Sequence, residues 1–334
     1  MLDHLVPPPP GLALPPGLAA RRLEAADGLA LRAAFARPDG AAKGTIIVLP
    51  GRAEFIEKYA EVLGHLLARG FAVAMLDWRG QGGSARQLRD PMKGHVEDYA
   101  DYRLDLAALL DAAAAEAMPE PYGLLAHSTG GAIALSALAR GENRFRRAIL
   151  TAPLTGIAGI SWPGTARVLT RLLASIGLST RYVPGGGAKP IFAKPFEGNP
   201  LSSDPLRYAI SGRWLAAEPR LAIGDPTIGW VDATFDALAE FQEPDFGRAN
   251  RTPILMILAG ADHVVETRVA AALARRLKGA GAIELRGARH EILMEADAIQ
   301  AQFWAAFDAF MRLDAADDAQ RAAEDDPHPA PAGG

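Results

Sequence analysis

The sequence predicts an α/β fold, a mostly parallel sheet with helices on both faces, interrupted by a helical insertion. Two patterns point there. Short, nearly all-apolar runs recur between amphipathic stretches, which is how strands buried on both faces read when helices connect them. One interval, residues 153–251, breaks that rhythm and holds Trp162, Trp214 and Trp230 among many prolines and glycines. It is too long for a structureless loop in a compact domain, so it should form a helical subdomain.

The elements follow in order. Residues 1–18 pass through Pro7, Pro8, Pro9 and Pro10, are low in complexity, and are expected to be a flexible end. Residues 21–26 and 29–35 flank Asp27-Gly28, the signature of an antiparallel hairpin closed by a tight turn. Strands are then expected at 45–49, 71–76, 122–126, 147–151, 254–258 and 283–285, and helices at 59–69, 96–117, 130–140, 267–278 and 297–312. The α/β core is therefore assigned to 19–152 and 252–313, the insertion to 153–251, and a flexible acidic tail to 314–334.

Composition removes several classes of function. The chain has no cysteine, so a thiol nucleophile, disulfides and thiolate metal sites are excluded. Its net charge is −4, of which the tail carries −5, leaving 34 basic against 33 acidic residues elsewhere. A near-neutral body gives no basic face for nucleic acid. No His-x-x-x-His or Glu-rich ligand cluster appears, so metal catalysis is not expected. No apolar run reaches the roughly 18 residues of a membrane span, and the N-terminus lacks a secretory pattern, so a cytoplasmic protein is the expectation.

Chemistry concentrates in three loops. Ala126-His127-Ser128-Thr129-Gly130-Gly131 follows an apolar strand and precedes a small-residue helix, the setting of a nucleophile elbow. A serine there projects above the sheet, and the helix N-terminus favours developing negative charge. Ala126 stands where the usual pattern has its first glycine. A serine hydroxyl needs a histidine to take its proton and a carboxylate to orient that histidine. Asp262 lies in the loop after one late strand and His290 in the loop after the next, both at carboxyl ends where sites of parallel sheets assemble. Elimination supports His290, since His4 and His328 lie in the ends, His65 in a helix, His127 beside the serine, His263 in the acid's loop and His95 ahead of the serine. The oxyanion donors are assigned to the backbone N–H groups of Thr129 and Arg52. Side-chain roles stay open, with a surface charge the plain reading of Arg52 and a helix cap that of Glu54.

These residues make the chain resemble the lysophospholipase and monoacylglycerol lipase branch of the α/β-hydrolases. The resemblance runs through most of residues 20–312 and rests on the run from Pro50 to Tyr59, the run from Asp77 to Ser84, the serine motif, and the Asp262 and His290 loops. It implies an α/β-hydrolase fold, hydrolysis of a fatty-acyl ester such as a lysophospholipid or monoacylglycerol, no cofactor, and a lid formed by the insertion. Pro50 and Gln81 stand where many relatives carry histidine, which leaves the triad intact and bears on acyl or head-group preference. The Asp77–Ser84 run also reads simply as a loop fixed by Asp77 and Arg79. A peptidase, an amide or thioester hydrolase, or a non-catalytic binding protein on this fold are the alternatives, because fold and triad do not fix the leaving group.

Within the insertion, Val168, Leu169, Leu172, Leu173 and Ile176 share one helical face. That face is expected either to pack on the main domain or to meet the acyl chain or a lipid surface. In the latter case Arg167, Arg171 and Arg181 would lie near anionic head groups during a transient membrane contact.

Overall fold

The computed structural model describes residues 2–160 and 162–313; the expected acidic tail, 314–334, lies outside them. Eight strands form one sheet: β1 (Ala19–Glu24), β2 (Ala30–Ala36), β3 (Thr45–Leu49), β4 (Ala72–Asp77), β5 (Tyr122–His127), β6 (Phe145–Thr151), β7 (Ile254–Ala259) and β8 (Ala280–Leu285). Their order is β1-β2-β4-β3-β5-β6-β7-β8, antiparallel at β1/β2 and β2/β4 and parallel elsewhere. All residues of β3, β4 and β5 are buried, which is why they read as unbroken apolar runs instead of alternating. The chain leaves β3 toward one edge and returns as β5 on its other side, so the switch point of the sheet lies between them. Loops at that point define the crevice where open parallel sheets place their sites.

The core helices are α1 (Ala60–Ala68), α2 (Asp101–Ala115) and α3 (Thr129–Ala139). Tyr102, Asp105, Leu106, Leu109, Leu110 and Ala113 bury one stripe of α2 at helical spacing. The expected start of this helix at residue 96 moves to Asp101, because the Asp98 side chain accepts from Ala100 N at 2.7 Å and holds a turn there. The insertion contributes α4 (Pro163–Leu173), α5 (Pro205–Ala217) and α6 (Ile228–Glu240), and the chain closes with α7 (Thr267–Arg276) and α8 (Asp297–Phe310). Side-chain caps start two of the insertion's helices: Asp204 accepts from Leu206 N and Arg207 N, and Thr227 from Trp230 N.

The proline-rich N-terminus departs from expectation. Leu2 and Val6 are only 2% and 3% exposed and join Phe55, Phe192, Trp214 and Ile223 in a second, smaller core between the main domain and the insertion. Leu2 N donates to Gly83 O, and Val6 N to Glu57 Oε1 at 2.9 Å. The prolines reduce the entropy lost on ordering, and the few aliphatic residues ahead of them find a ready apolar groove. Low complexity concealed that match.

Under this segment sits a buried charge cluster. Arg32 of β2 is fully buried, forks onto Glu57 at 2.7 and 2.8 Å, and donates from Nε to Asp77 Oδ2 at 2.8 Å. Asp77 also accepts from Ile56 N and Gly83 N, while Arg79 pairs with Asp105 and Asp27. The Asp77–Ser84 run is thus a loop fixed by its own charges.

Deleting residues 2–7 should lower stability by about 3–5 kcal/mol, the burial of two aliphatic side chains. Urea unfolding of the deletion variant measures it, and an unchanged midpoint would mean the segment contributes nothing to the fold.

Candidate active site

The turn from β5 into α3 carries Ser128 at φ 51° and ψ −115°, a strained conformation for a residue with a side chain. The strain is held from both sides. Ser128 N donates to Thr151 O on β6, and Leu154 N donates to Ser128 O. Gly130 must be glycine: a Cβ there would sit 2.4 Å from Leu49 O and 2.6 Å from Pro50 O. That approach presses α3 against the end of β3 and turns the serine hydroxyl away from the sheet.

The structure brings three residues named from sequence together across the sheet's carboxyl end. Ser128 Oγ lies 2.9 Å from His290 Nε2, and Asp262 Oδ2 lies 2.8 Å from His290 Nδ1. An ionised carboxylate only accepts, so Nδ1 carries the proton and Nε2 is left to accept from the serine hydroxyl. The other oxygen of Asp262 accepts from Val264 N at 2.7 Å and Val265 N at 2.9 Å. Burial raises the carboxyl's pKa, but the bonds from His290 and these amides outweigh it and hold Asp262 below its ordinary value. This arrangement can move a proton from serine to imidazole while a fixed carboxylate steadies the resulting cation.

The two residues assigned as oxyanion donors line the same cavity as Ser128 and His290. Residues 51–54 are shaped by neighbours: Gln81 Nε2 donates to Gly51 O and Glu54 O, its Oε1 accepts from Ala53 N, and Trp78 Nε1 donates to Pro50 O. Gln81, where relatives often carry histidine, therefore clamps this loop. The cavity has a volume of about 400 Å³, and Leu154, Ile157, Ile160, Val231 and Val264 give it an apolar wall. The insertion supplies much of that wall.

Two histidines set aside by elimination have other surroundings. His127 is buried, with Nδ1 near Thr151 Oγ1 and O, and burial pushes its imidazole down to about 4, so it stays neutral near neutral pH. His95 Nδ1 lies 2.8 Å from Thr227 Oγ1, while its Nε2 is buried with no hydrogen-bond partner among the described residues.

Sequence reasoning missed a buried bridge. Glu54 is no helix cap: it is 3% exposed and accepts from Gly51 N, from Tyr59 OH at 2.6 Å and from Lys58 Nζ at 2.5 Å. Lys58 also donates to Glu291 Oε1 at 2.7 Å, next to His290, and its ammonium lies over the Phe192 ring. Despite burial, Lys58 and the hydrogen bonds hold the Glu54 carboxyl down at about 2. One ammonium thus ties the loop after β3 to the histidine loop. The i,i+4 spacing of Glu54 and Lys58 was visible in sequence; the partner 233 residues away was not. Lys58→Met should destabilise the fold by about 3–5 kcal/mol, since two buried carboxylates lose their counter-charge. It should also lower kcat more than it raises KM, and a folded variant with unchanged kcat would show that the bridge does not hold the two loops in register.

Comparison with known proteins agrees with this architecture. The model of the family described as serine aminopeptidase S33 (Hydrolase_4) matches residues 40–297. Lysophospholipase L2 of Escherichia coli strain K12 is 35% identical over 267 residues, 76% of each chain. A probable lysophospholipase L2 of Haemophilus influenzae is 29% identical over 79% of this chain and 82% of its own. Among solved structures, a soluble variant of monoglyceride lipase from Saccharomyces cerevisiae superposes with a TM-score of 0.68 at 19% identity, covering 93% of this chain and 98% of that one. A carboxyl esterase from Bacillus coagulans does so with a TM-score of 0.70 at 18% identity, covering 87% and 96%. At such identity these two speak for the fold alone. With its family match, its lysophospholipase relatives and its sheet, the chain belongs to the S33 (Hydrolase_4) family of α/β-hydrolases, beside the lysophospholipase L2 proteins.

Proposed function

We propose that this protein is a carboxylic ester hydrolase acting on a fatty-acyl ester, a lysophospholipid or monoacylglycerol, with Ser128 as nucleophile, His290 as general base and Asp262 orienting the histidine. The observation that carries the reading is the hydrogen-bonded line Asp262–His290–Ser128 opening into a cavity with an apolar wall. The acyl chain lies against Leu154, Ile157 and Ile160. Ser128 Oγ attacks the ester carbonyl while its proton passes to His290 Nε2. The amides of Arg52 and Thr129, which have no acceptor among the described residues, receive the oxyanion. His290 returns the proton to the leaving alcohol, and water then cleaves the acyl-enzyme by the same path in reverse.

The family's aminopeptidase label favours amides as the second reading. Against it stands the long apolar wall, which suits a fatty chain better than a charged amino terminus. A fluorophosphonate probe, p-nitrophenyl esters of rising chain length and aminoacyl p-nitroanilides separate the readings. Labelling and ester turnover should fall at least about 10⁴-fold in Ser128→Ala, with an optimum at long acyl chains. Preference for the anilides would replace the ester reading, and absence of both labelling and turnover would favour a binding protein.

Residues 153–251 act as the lid over this site, and α4 is its contact with lipid, at a cytoplasmic, peripheral location. Val168, Leu169, Leu172 and Ile176 are all at least half exposed, as is Trp162 just before α4, while Leu173 is half-buried, so most of the expected apolar face is turned outward. No helix among the described residues is long and apolar enough to cross a membrane, so contact at the surface suits this face. Arg167 and Arg171 are committed elsewhere: Arg167 pairs with Asp236, and Arg171 with Asp232 and Asp236, on α6. Docking is therefore apolar-driven. The intact protein should co-sediment with zwitterionic phosphatidylcholine vesicles largely independently of salt, and Leu169→Asp with Leu172→Asp should abolish it. No sedimentation of the intact protein, or full retention by the double variant, refutes the contact.

A further inference from the structure

The ionisable side chains that reach the cavity beside Ser128 are nearly all occupied by protein partners. Glu54 and Glu291 are tied to Lys58, His290 to Asp262 and Ser128, and His127 to Thr151. Asp225 accepts from Gly187 N. Arg52 differs from all of these. Its side chain makes one hydrogen bond, from Nη2 to Gly224 O at 2.9 Å, and its guanidinium lies over the Trp230 ring, 5.2 Å from the centroid. Its Nε is buried with no acceptor. Asp225 acts on it only through space, and no carboxylate among the described residues pairs with it.

A clip to the Gly224 carbonyl is the plain reading of this side chain. A neutral donor would provide that clip without placing a charge half out of water, and charges so placed are ordinarily paired because an unpaired one is poorly solvated. Burial lowers the guanidinium only to about 10, so it remains a cation at neutral pH. A second orphan lies on the neighbouring segment: the Tyr182 hydroxyl is buried with no hydrogen-bond partner among the described residues, and Val183 next to it lines the cavity. A guanidinium that lines the cavity with no counter-ion among the described residues, and an unpaired hydroxyl on the residue beside Val183 of its wall, match an anionic oxygen group, phosphate above all.

We propose that Arg52 is a specificity-determining residue that takes the phosphate of a lysophospholipid head group, with the Tyr182 hydroxyl as a second donor. The inference rests on the ester-hydrolase reading and decides between the two substrates it names, because a monoacylglycerol has no phosphate to offer. Arg52 would serve the substrate twice, its amide facing the ester oxygen and its side chain reaching across the glycerol to the phosphate.

The test compares kcat/KM for a lysophosphatidylethanolamine and a monoacylglycerol of the same acyl chain, both in neutral mixed micelles. The wild type, Arg52→Met, Arg52→Lys and Tyr182→Phe are measured, with inorganic phosphate as a competitor of monoacylglycerol hydrolysis. In Arg52→Met the ratio of lysophospholipid to monoacylglycerol kcat/KM should fall about 10- to 100-fold, the worth of hydrogen bonds to a charged group. Arg52→Lys should restore part of it, and Tyr182→Phe should lower it less. Tyr182→Phe leaves Arg52 in place, so it tests the subsite even if Arg52→Met fails to fold. A proportional loss on both substrates would overturn the proposal and leave Arg52 as a holder of its loop. An unchanged ratio with phosphate inhibition relieved in Arg52→Met would overturn it in favour of a site for free phosphate. If the wild type hydrolyses neither ester, the ester reading itself fails and this inference with it.

Discussion

The close approach of α3 to the end of β3 is the constraint on which the site depends. Gly130 has no room for a side chain, since two main-chain carbonyls of residues 49 and 50 stand where a Cβ would go. That contact fixes the path of the chain through Ser128, and the path forces a backbone conformation unfavourable for any residue but glycine. The strain persists because bonds to Thr151 and Leu154 over-determine it. Everything else at the site is arranged around a hydroxyl whose position is not negotiable: the imidazole 2.9 Å away, the loop of residues 51–54, and the cavity wall.

Buried ion pairs form a second layer of control. Two clusters lie under the loops at the sheet's switch point, Arg32 with Glu57 and Asp77, and Lys58 with Glu54 and Glu291. Such pairs contribute little net stability, because desolvation offsets most of their attraction. Their value lies in direction: each partner has a fixed geometry and no acceptable alternative inside the protein. Loops held this way carry little of the freedom usual in surface connections. Arg52 stands out against this background as a cation in the same region that has no such partner among the described residues.

The sheet, its helices and the three residues of the hydrogen-bonded line were legible in the sequence for specific reasons. Strands β3, β4 and β5 are buried on both faces, so their apolar runs are unbroken. Ser128, Asp262 and His290 each follow a strand, and strand ends are readable from local pattern. Other features were not readable. The start of α2 turned on one Asp98 side chain, and the N-terminal segment appeared flexible because its packing partners are distant in the chain. The apolar face of α4 was plain as a periodicity, but periodicity does not say whether a face looks inward or outward.

By itself, then, the sequence determined the α/β class, the order of the elements and which residues meet at the carboxyl end of the sheet. Those follow from local patterns of apolar residues, glycines and polar groups at fixed spacing. Only the tertiary structure decided which charges pair. Glu54 became a buried anchor and not a cap, Arg167 and Arg171 were turned to α6, and Arg52 was left beside the cavity without a counter-ion among the described residues. The physical reason is that the energy of a charge depends on what surrounds it in space, and those surroundings come from segments far apart in the chain.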